Sequence, residues 1–163
     1  MKVAKRRRRE NRTDYGKRLK LLKSEKPRIV FRNSNRYILA QYVESENAQD
    51  KIKFGVSSKD LLKNGWQKNA EGSLKSVTAS YLTGFLMGKK IAKENLETPI
   101  IDFGMKEMKH KSRTYGFIKG LIDAGIKVKC DKEFFPDESR IKGEHLKNKV
   151  KFNEIKSQIE KNG

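Results

Sequence analysis

One cysteine, Cys130, stands in a chain of 163 residues. A single thiol closes no internal disulfide and makes no CxxC metal pair, and a reducing, intracellular compartment fits it. Histidine is as scarce, with His110 and His145 alone. Their spacing to each other and to Cys130 matches no zinc-ligand pattern, so no metal is expected. No apolar run reaches the ~18 residues of a membrane helix. No apolar segment follows the basic start, as a secretory leader would require. Gly88-Lys89-Lys90 lacks the upstream glycine and the Ser/Thr of a phosphate-binding loop, and no cofactor is expected. Hydrophobic residues make up 35% and charged residues 36%, so the core is modest for a single domain of this length.

Negative charge is the larger deficit. Asp and Glu number 20 against 39 Lys and Arg, a net charge of +19. The excess is uneven. Residues 1–26 carry +9, residues 27–129 carry another +9 over four times the length, and residues 130–163 carry +1. Such a charge repels itself, and a polyanion relieves the repulsion. Nucleic acid is the first candidate. An anionic membrane surface is less suitable, because no strong basic amphipathic helix is present.

Local patterns divide the chain into an arm with a short helix (1–26), an α/β domain (27–129) and an extension (130–163). Residues 1–12 offer nothing to bury and read as a disordered arm that orders on binding. Thr13 or Asp14 caps a short helix to about Lys23, and Pro27 ends it. Three β-rich segments follow: Arg28–Arg32, Tyr37–Val43 and Lys51–Val56. Short connections at 33–36 and 46–50 make them an antiparallel meander. Ser57 or Ser58 opens a helical turn that ends at Asn64-Gly65, and 67–72 reads as a polar loop. From Ser76 to Asn95 the pattern is helical, with Val77, Tyr81, Leu82, Phe85, Gly88 and Ala92 on one side. Gly84 and Gly88 within it signal a close approach to a sheet or another helix. Ile100–Phe103 reads as a buried parallel strand. Ser112 caps a second helix to about Ala124, closed by Gly125. Ile126–Lys129 reads as a fifth strand. The predicted fold is α/β: a mixed sheet of about five strands in the order 3-2-1-4-5, covered by helices. A last helix, roughly Glu144 to Lys161, forms an extension that packs on a neighbour rather than a second domain.

That strand order is also the order of ribonuclease H-like nucleases. Their chemistry needs clustered carboxylates around two Mg²⁺ ions, with an Asp in the first strand. Arg28-Ile29-Val30-Phe31-Arg32 carries none. Asp102 reads as an acceptor for backbone or Arg hydrogen bonds near a strand end, and Asp123 as a helix-surface residue. An enzyme is not expected, and a divergent Mg²⁺-dependent nuclease is the alternative. Nucleic-acid binding suits three basic concentrations better. They are the arm, the hairpin tip Arg32-Asn33-Ser34-Asn35-Arg36-Tyr37, and the loop 106–113 at a helix start.

At these residues the chain resembles large-subunit ribosomal protein eighteen of the archaeal/eukaryotic type, called protein five in the eukaryotic cytosolic ribosome. The resemblance is collinear over nearly the whole chain. It is carried by Arg6-Arg7-Arg8-Arg9-Glu10 with Thr13-Asp14-Tyr15, Lys17-Arg18-Leu19, Lys26-Pro27-Arg28, and Arg32-Asn33-Ser34-Asn35-Arg36 with Ile38-Leu39-Ala40-Gln41. Tyr81-Leu82-Thr83-Gly84, Gly88-Lys89-Lys90, Asp123-Ala124-Gly125, Phe135-Pro136-Asp137-Glu138 and Arg140 through His145 continue it. Gly16 stands where the family usually has a basic residue. The loop 105–111 and the segment 73–78 also depart from the family pattern.

The resemblance implies a ribonuclease H-like fold without nuclease activity. It implies a place in the central protuberance of cytoplasmic ribosomes. Partners would be 5S rRNA, large-subunit rRNA and neighbouring proteins, including large-subunit protein five of the bacterial naming. The RNA-binding set so expected comprises Lys5, Arg6, Arg7, Arg8, Arg9, Arg12, Tyr15 and Arg18 from the arm and first helix. Arg28 joins it from the first strand, and Arg32, Asn33, Ser34, Asn35 and Arg36 from the hairpin. Lys109, His110, Lys111, Arg113 and Tyr115 complete it.

Deleting residues 1–12 removes seven basic side chains and no core. The truncated chain is expected to fold and to bind RNA more weakly. Its log–log salt slope should shrink by several units, at about 0.7–0.9 per lost phosphate contact. Titrations at graded salt read this directly, and an unchanged slope rules out arm–RNA contact.

Overall fold

A computed structural model describes residues 3–47, 49–146 and 150–162, without the side chains of 68, 69, 71 and 162. Its centre is one mixed sheet in the order β3-β2-β1-β4. β1 (Arg28–Asn33), β2 (Ile38–Glu46) and β3 (Gln49–Ser57) form the antiparallel meander, and β4 (Ile100–Asp102) lies parallel to β1. Alternation decides the faces. Ile29 pairs with Tyr42, Phe31 with Ala40 and Tyr42 with Phe54, so these side chains share the face that packs into the core. β3 carries one extra residue, Lys53, opposite the Tyr42–Val43 step, a bulge that bends this outer strand.

The expected fifth strand does not form. Ile126–Lys129 joins no ladder. The Ile126 amide instead closes the preceding helix by donating to Leu121 O at 3.0 Å, and its side chain is buried beside Gly88. The helix end therefore anchors this segment. An open cleft of about 640 Å³, lined by Ile100, Ile101, Phe103, Ile118 and Val128, separates it from β4.

Helices flank the sheet. α1 (Arg6–Arg9) is a single turn within the arm, where no structure was expected. α2 (Tyr15–Leu22) is capped by Asp14, whose carboxylate accepts from the Gly16 and Lys17 amides. Ser57 and Asp60 make the capping box of a 3-10 segment, Ser58–Asn64, that ends on a left-handed Gly65. The expected polar loop contains a second 3-10 turn, Lys68–Ser73, because buried Trp66 donates from its indole to Ala70 O. α3 (Val77–Lys93), capped by Ser76, runs through the middle of the molecule. Thirteen of its residues are buried, not one stripe, because β2, β3, α4, α5 and α6 all pack on it. Ala92, expected on the apolar side, is exposed past the end of that packing.

α4 (Arg113–Asp123) lies directly against α3. A Cβ on Gly84 would collide with the Phe117 carbonyl oxygen, and one on Gly120 with the Tyr81 carbonyl oxygen and the Phe85 nitrogen. Val77 lies against Gly116, Tyr81 against Gly120 and Gly88 against Ala124. Both numbers rise together, so the helices run parallel and their N-termini lie at one end.

The extension packs on this chain's own core. α5 (Glu138–Lys142) buries Ile141, and α6 (Phe152–Asn162) buries Ile155 and Ile159 in the main cluster. The expected helix from Glu144 starts at Phe152, because a left-handed Gly143 ends α5. Residues 147–149 of that expected helix lie outside the described ones.

Arg28 points inward, with only 2% exposure, and is paired. Its guanidinium donates to Asp50 Oδ1 at 2.6 Å and to Ser45 Oγ at 2.8 Å. Arg18 of α2 holds the other Asp50 oxygen at 2.9 Å. Burial pushes the Asp50 pKa up, but the Ser45 hydrogen bond and the Arg28 and Arg18 charges outweigh it and leave the pKa below the usual value.

Gly120→Ala should lower stability by about 2 kcal/mol in urea unfolding, because overpacking outweighs the ~1 kcal/mol helix-propensity gain. Asp50→Asn should cost about 2 kcal/mol at neutral pH by leaving Arg28 poorly paired. A depressed carboxylate pKa stabilises above the unfolded value and loses that contribution as pH falls through the folded one. The gap between wild type and Asp50→Asn should therefore close below about pH 4, and a gap that persists in acid refutes the pairing.

Candidate nucleic-acid interface

The C-terminal ends of the parallel pair β1 and β4 bring the arm, the hairpin and the basic loop together. Asp102 ends β4 and organises this corner. Its carboxylate accepts from the Gly104 amide at 2.7 Å and from Arg32 at 3.3 Å, as an acceptor at a strand end should. Arg32 also donates to the Phe31 and Asp102 carbonyls, yet half of its side chain (48%) stays accessible. Across a cleft of about 150 Å³ stand Arg7, Arg12, Lys17 and Arg18 from the arm and α2. Lys17 closes one side by donating to Gly104 O at 3.1 Å. Five cations thus surround one opening, with Asp14 and Asp102 as the acidic counterweight.

The arm's own contacts are exposed and weak. Arg6 and Arg12 share Glu10 at 3.6 and 3.3 Å, and Arg8 reaches Asp14 at 3.7 Å. Arg7 donates to Thr13 Oγ1, and the Lys5 ammonium sits 4.8 Å from the Tyr15 ring centroid. Exposed pairs contribute about 0–1 kcal/mol, so phosphates can replace them at little cost. Arg9 is exposed on the same turn.

At the hairpin tip the turn is locked and its outer side chains are free. Ser34 Oγ donates to Tyr37 O and accepts from the Tyr37 amide, so Ser34 builds the turn. With its amide turned to donate to Ser34 O, Asn33 accepts from Lys106 Nζ at 3.2 Å. Asn35 and Arg36 project outward beside Lys75, around a hollow of about 250 Å³. Burial and the nearby Arg113 guanidinium hold the Lys106 pKa below its ordinary value. An anion placed there relieves that repulsion.

The loop is less uniform than its composition. His110 lies against Phe134, tilted, with ring centroids 4.3 Å apart, and meets Tyr115 edge-on. Lys111 pairs with Asp137 at 3.1 Å, Lys109 with Glu107 at 3.4 Å, and Arg113 donates to Lys75 O at 3.2 Å. Two members of the expected set are turned away from solvent. Arg28 serves the Asp50 pair, and Tyr115 is 8% exposed in an aromatic cluster with Phe134. The Arg28 guanidinium is enclosed by Asp50 and Ser45 on the sheet face opposite Ile29 and Phe31, and the Tyr115 ring is packed at the margin of the cleft beside β4.

Lys17, Lys75 and Lys106 join the basic surface without having been singled out in the sequence. Lys17 stood inside a quoted arm stretch and Lys106 in the basic loop; Lys75 had no local signal. Asp123, expected on a free helix surface, accepts from the Tyr81 hydroxyl at 2.7 Å and from Lys119 at 2.9 Å. Among the described residues no three His, Cys, Asp or Glu side chains are grouped to hold a metal ion, and no helix is long and apolar enough to cross a membrane.

Comparison with known proteins gives concordant matches. A profile of ribosomal large subunit proteins 60S L5 and 50S L18 matches residues 1–99. The large ribosomal subunit protein uL18 of Korarchaeum cryptofilum is 44% identical over 145 residues, covering 89% of this chain and 72% of that protein. The uL18 of Methanococcoides burtonii is 42% identical over 145 residues, covering 89% and 82%. That of Methanoregula boonei is 37% identical over 160 residues, covering 98% and 88%.

Proposed function

The chain belongs to the family of ribosomal large subunit proteins 60S L5 and 50S L18, and from that premise we propose that it binds 5S rRNA and anchors it to large-subunit rRNA in the central protuberance. The coarser role, a structural constituent of the large ribosomal subunit, comes with the family. The finer one rests chiefly on the corner at the ends of β1 and β4, where arm, α2 and hairpin cations surround one cleft. Neighbouring ribosomal proteins of the protuberance, among them protein five of the bacterial naming, are the protein partners this reading assigns. The arm and first helix (1–26) supply charge, the α/β part (27–129) supplies shape, and the extension (130–163) stabilises the core that holds them.

A nuclease reading is weaker. The Asp102 oxygens already serve Gly104 and Arg32, and β1 brings no carboxylate beside it. Charge alone gives affinity for any RNA, whereas a rigid loop with outward polar groups gives preference. Arg32 is partly structural, so Asn35 and Arg36 carry the cleaner test.

Asn35→Ala with Arg36→Ala should weaken 5S rRNA binding by about tenfold or more, since a charged hydrogen bond contributes about 1.5–3 kcal/mol. An unrelated RNA of equal length should lose far less. Competition binding at one fixed salt concentration decides it, and a variant that keeps the wild-type preference refutes the hairpin assignment.

A further inference from the structure

We infer that Asp50 and the buried Arg28 are positioning residues for RNA: together they hold the Arg18 guanidinium at the arm cleft with that of Arg32, so that the two form a clamp for one phosphate group. The inference rests on the reading of this chain as an RNA-binding protein.

Strand alternation lays out the parts. Arg28, Val30 and Arg32 are spaced by two along β1 and point to the sheet face opposite Ile29 and Phe31. Asp102 is the β4 partner of Val30, so its side chain stands between the two arginines. The Arg28 and Arg32 guanidiniums approach the same atom, Asp102 Oδ2, at 4.0 and 3.3 Å. Through Nη2, Arg28 donates to Asp50 Oδ1 at 2.6 Å, and the second Asp50 oxygen accepts from Arg18 Nη2 at 2.9 Å. The charges therefore alternate in one row: Arg18, Asp50, Arg28, Asp102, Arg32.

The middle of the row is enclosed and its ends are open. Arg28 is 2% exposed, whereas Arg18 and Arg32 keep 40% and 48% of their side chains accessible. Both ends line the cleft of about 150 Å³, and Asp50 does not. Three cations against two carboxylates leave the row with one positive charge, which a single phosphodiester balances.

α2 depends on this tie. None of its eight residues is fully buried, so apolar packing fixes its rotation only weakly. Two consecutive polar contacts fix it instead: Lys17 donates to Gly104 O, and Arg18 to Asp50. An exposed ion pair contributes little by itself. Asp50 is a firmer acceptor, because Ser45 Oγ accepts from Arg28 at 2.8 Å and donates to Asp50 Oδ1 at 2.6 Å, closing a ring around the carboxylate. The carboxylate is oriented by the sheet, and it orients Arg18 before RNA arrives. A free arginine side chain would lose its rotamer freedom on binding, and here much of that loss has already occurred.

A carboxylate thus strengthens anion binding at this cleft. Charge counting gives the opposite sign. Asp50→Asn raises the net charge by one, and a more cationic chain attracts RNA more strongly. The direction of the change separates the two readings.

The test uses the full chain with Asp50→Asn, Arg18→Ala and the double variant, each titrated with labelled 5S rRNA at one fixed salt concentration. Urea unfolding curves supply the folded fraction, and affinities are compared per folded molecule. Asp50→Asn is expected to bind about fivefold more weakly, as for the added ordering of one long side chain. In the Arg18→Ala background the same substitution should weaken binding no further. Arg28→Lys keeps the charge but replaces the planar fork by a point donor that does not span Asp50 and Asp102. It should weaken binding by a similar factor, and it carries the test if Asp50→Asn does not fold. An Asp50→Asn affinity equal to or above wild type overturns the inference. An equal loss with and without Arg18 does too, because Asp50 then acts through the fold at large. Wild-type affinity in Arg28→Lys also overturns it. If the wild-type chain shows no preference for 5S rRNA over an unrelated RNA of equal length, the proposed function fails; the same cycle run with the unrelated RNA still reads the clamp.

Discussion

The backbone-close, parallel packing of α3 on α4 is the constraint from which the rest of this structure follows. Gly84 and Gly120 let a carbonyl of each helix sit where a side chain would be. No other residue type permits that distance, and close packing transmits the position of one helix to the other. α3 is then enclosed by sheet, α4 and the C-terminal helices, and the buried cluster runs through all of them. The same contact fixes where α4 begins and hence where the basic loop before it must end. Helix packing and the placement of charge are one geometric fact here.

A buried charge lies behind the same corner, 4.0 Å from the Asp102 carboxylate. Arg28 is almost fully enclosed, and Asp50 neutralises it while also holding Arg18 of α2. A buried guanidinium without a partner is costly, so Asp50 must stay in place. α2 is thereby tied to the sheet, and with it the arm that α2 anchors. Arg7 and Arg12 of the arm are consequently delivered to the cleft beside Arg32. Charge that the arm supplies and shape that the sheet supplies meet at Asp102 and Gly104.

The fold leaves weak pairs on the surface and a strong one inside. Arg8 with Asp14 and Lys111 with Asp137 are exposed, whereas Arg28 with Asp50 is enclosed. The enclosed pair maintains the fold, and the exposed pairs are readily exchanged for phosphate. Lys106, held below its ordinary pKa by burial and by Arg113, marks a point where cations are crowded beyond what the free chain favours. The free protein is thus arranged around charge that a polyanion completes.

Composition, turn signals and caps were legible residue by residue. The meander, the caps at Asp14 and Ser57, the parallel β4, the left-handed Gly65 and Gly125 and the acceptor role of Asp102 all follow from local chemistry, which acts within a few residues. The arm, hairpin and loop were legible as basic surface for the same reason. Local pattern did not reveal which partner an inward or outward residue would meet. Arg28 and Tyr115 carry RNA-binding chemistry, yet one faces Asp50 and the other Phe134. Ile126–Lys129 has strand composition, but its first residue is held by the end of α4 and the packing around Gly88. Lys75 gains its place only because α3 and α4 run parallel and bring Arg113 and Arg140 to it. Most of the elements, the charge and the family were readable from residue order, because these depend on near neighbours and on position along the chain. Only the tertiary structure decided which charges are enclosed, which meet at a cleft and which remain unpaired, because those contacts join residues far apart in sequence.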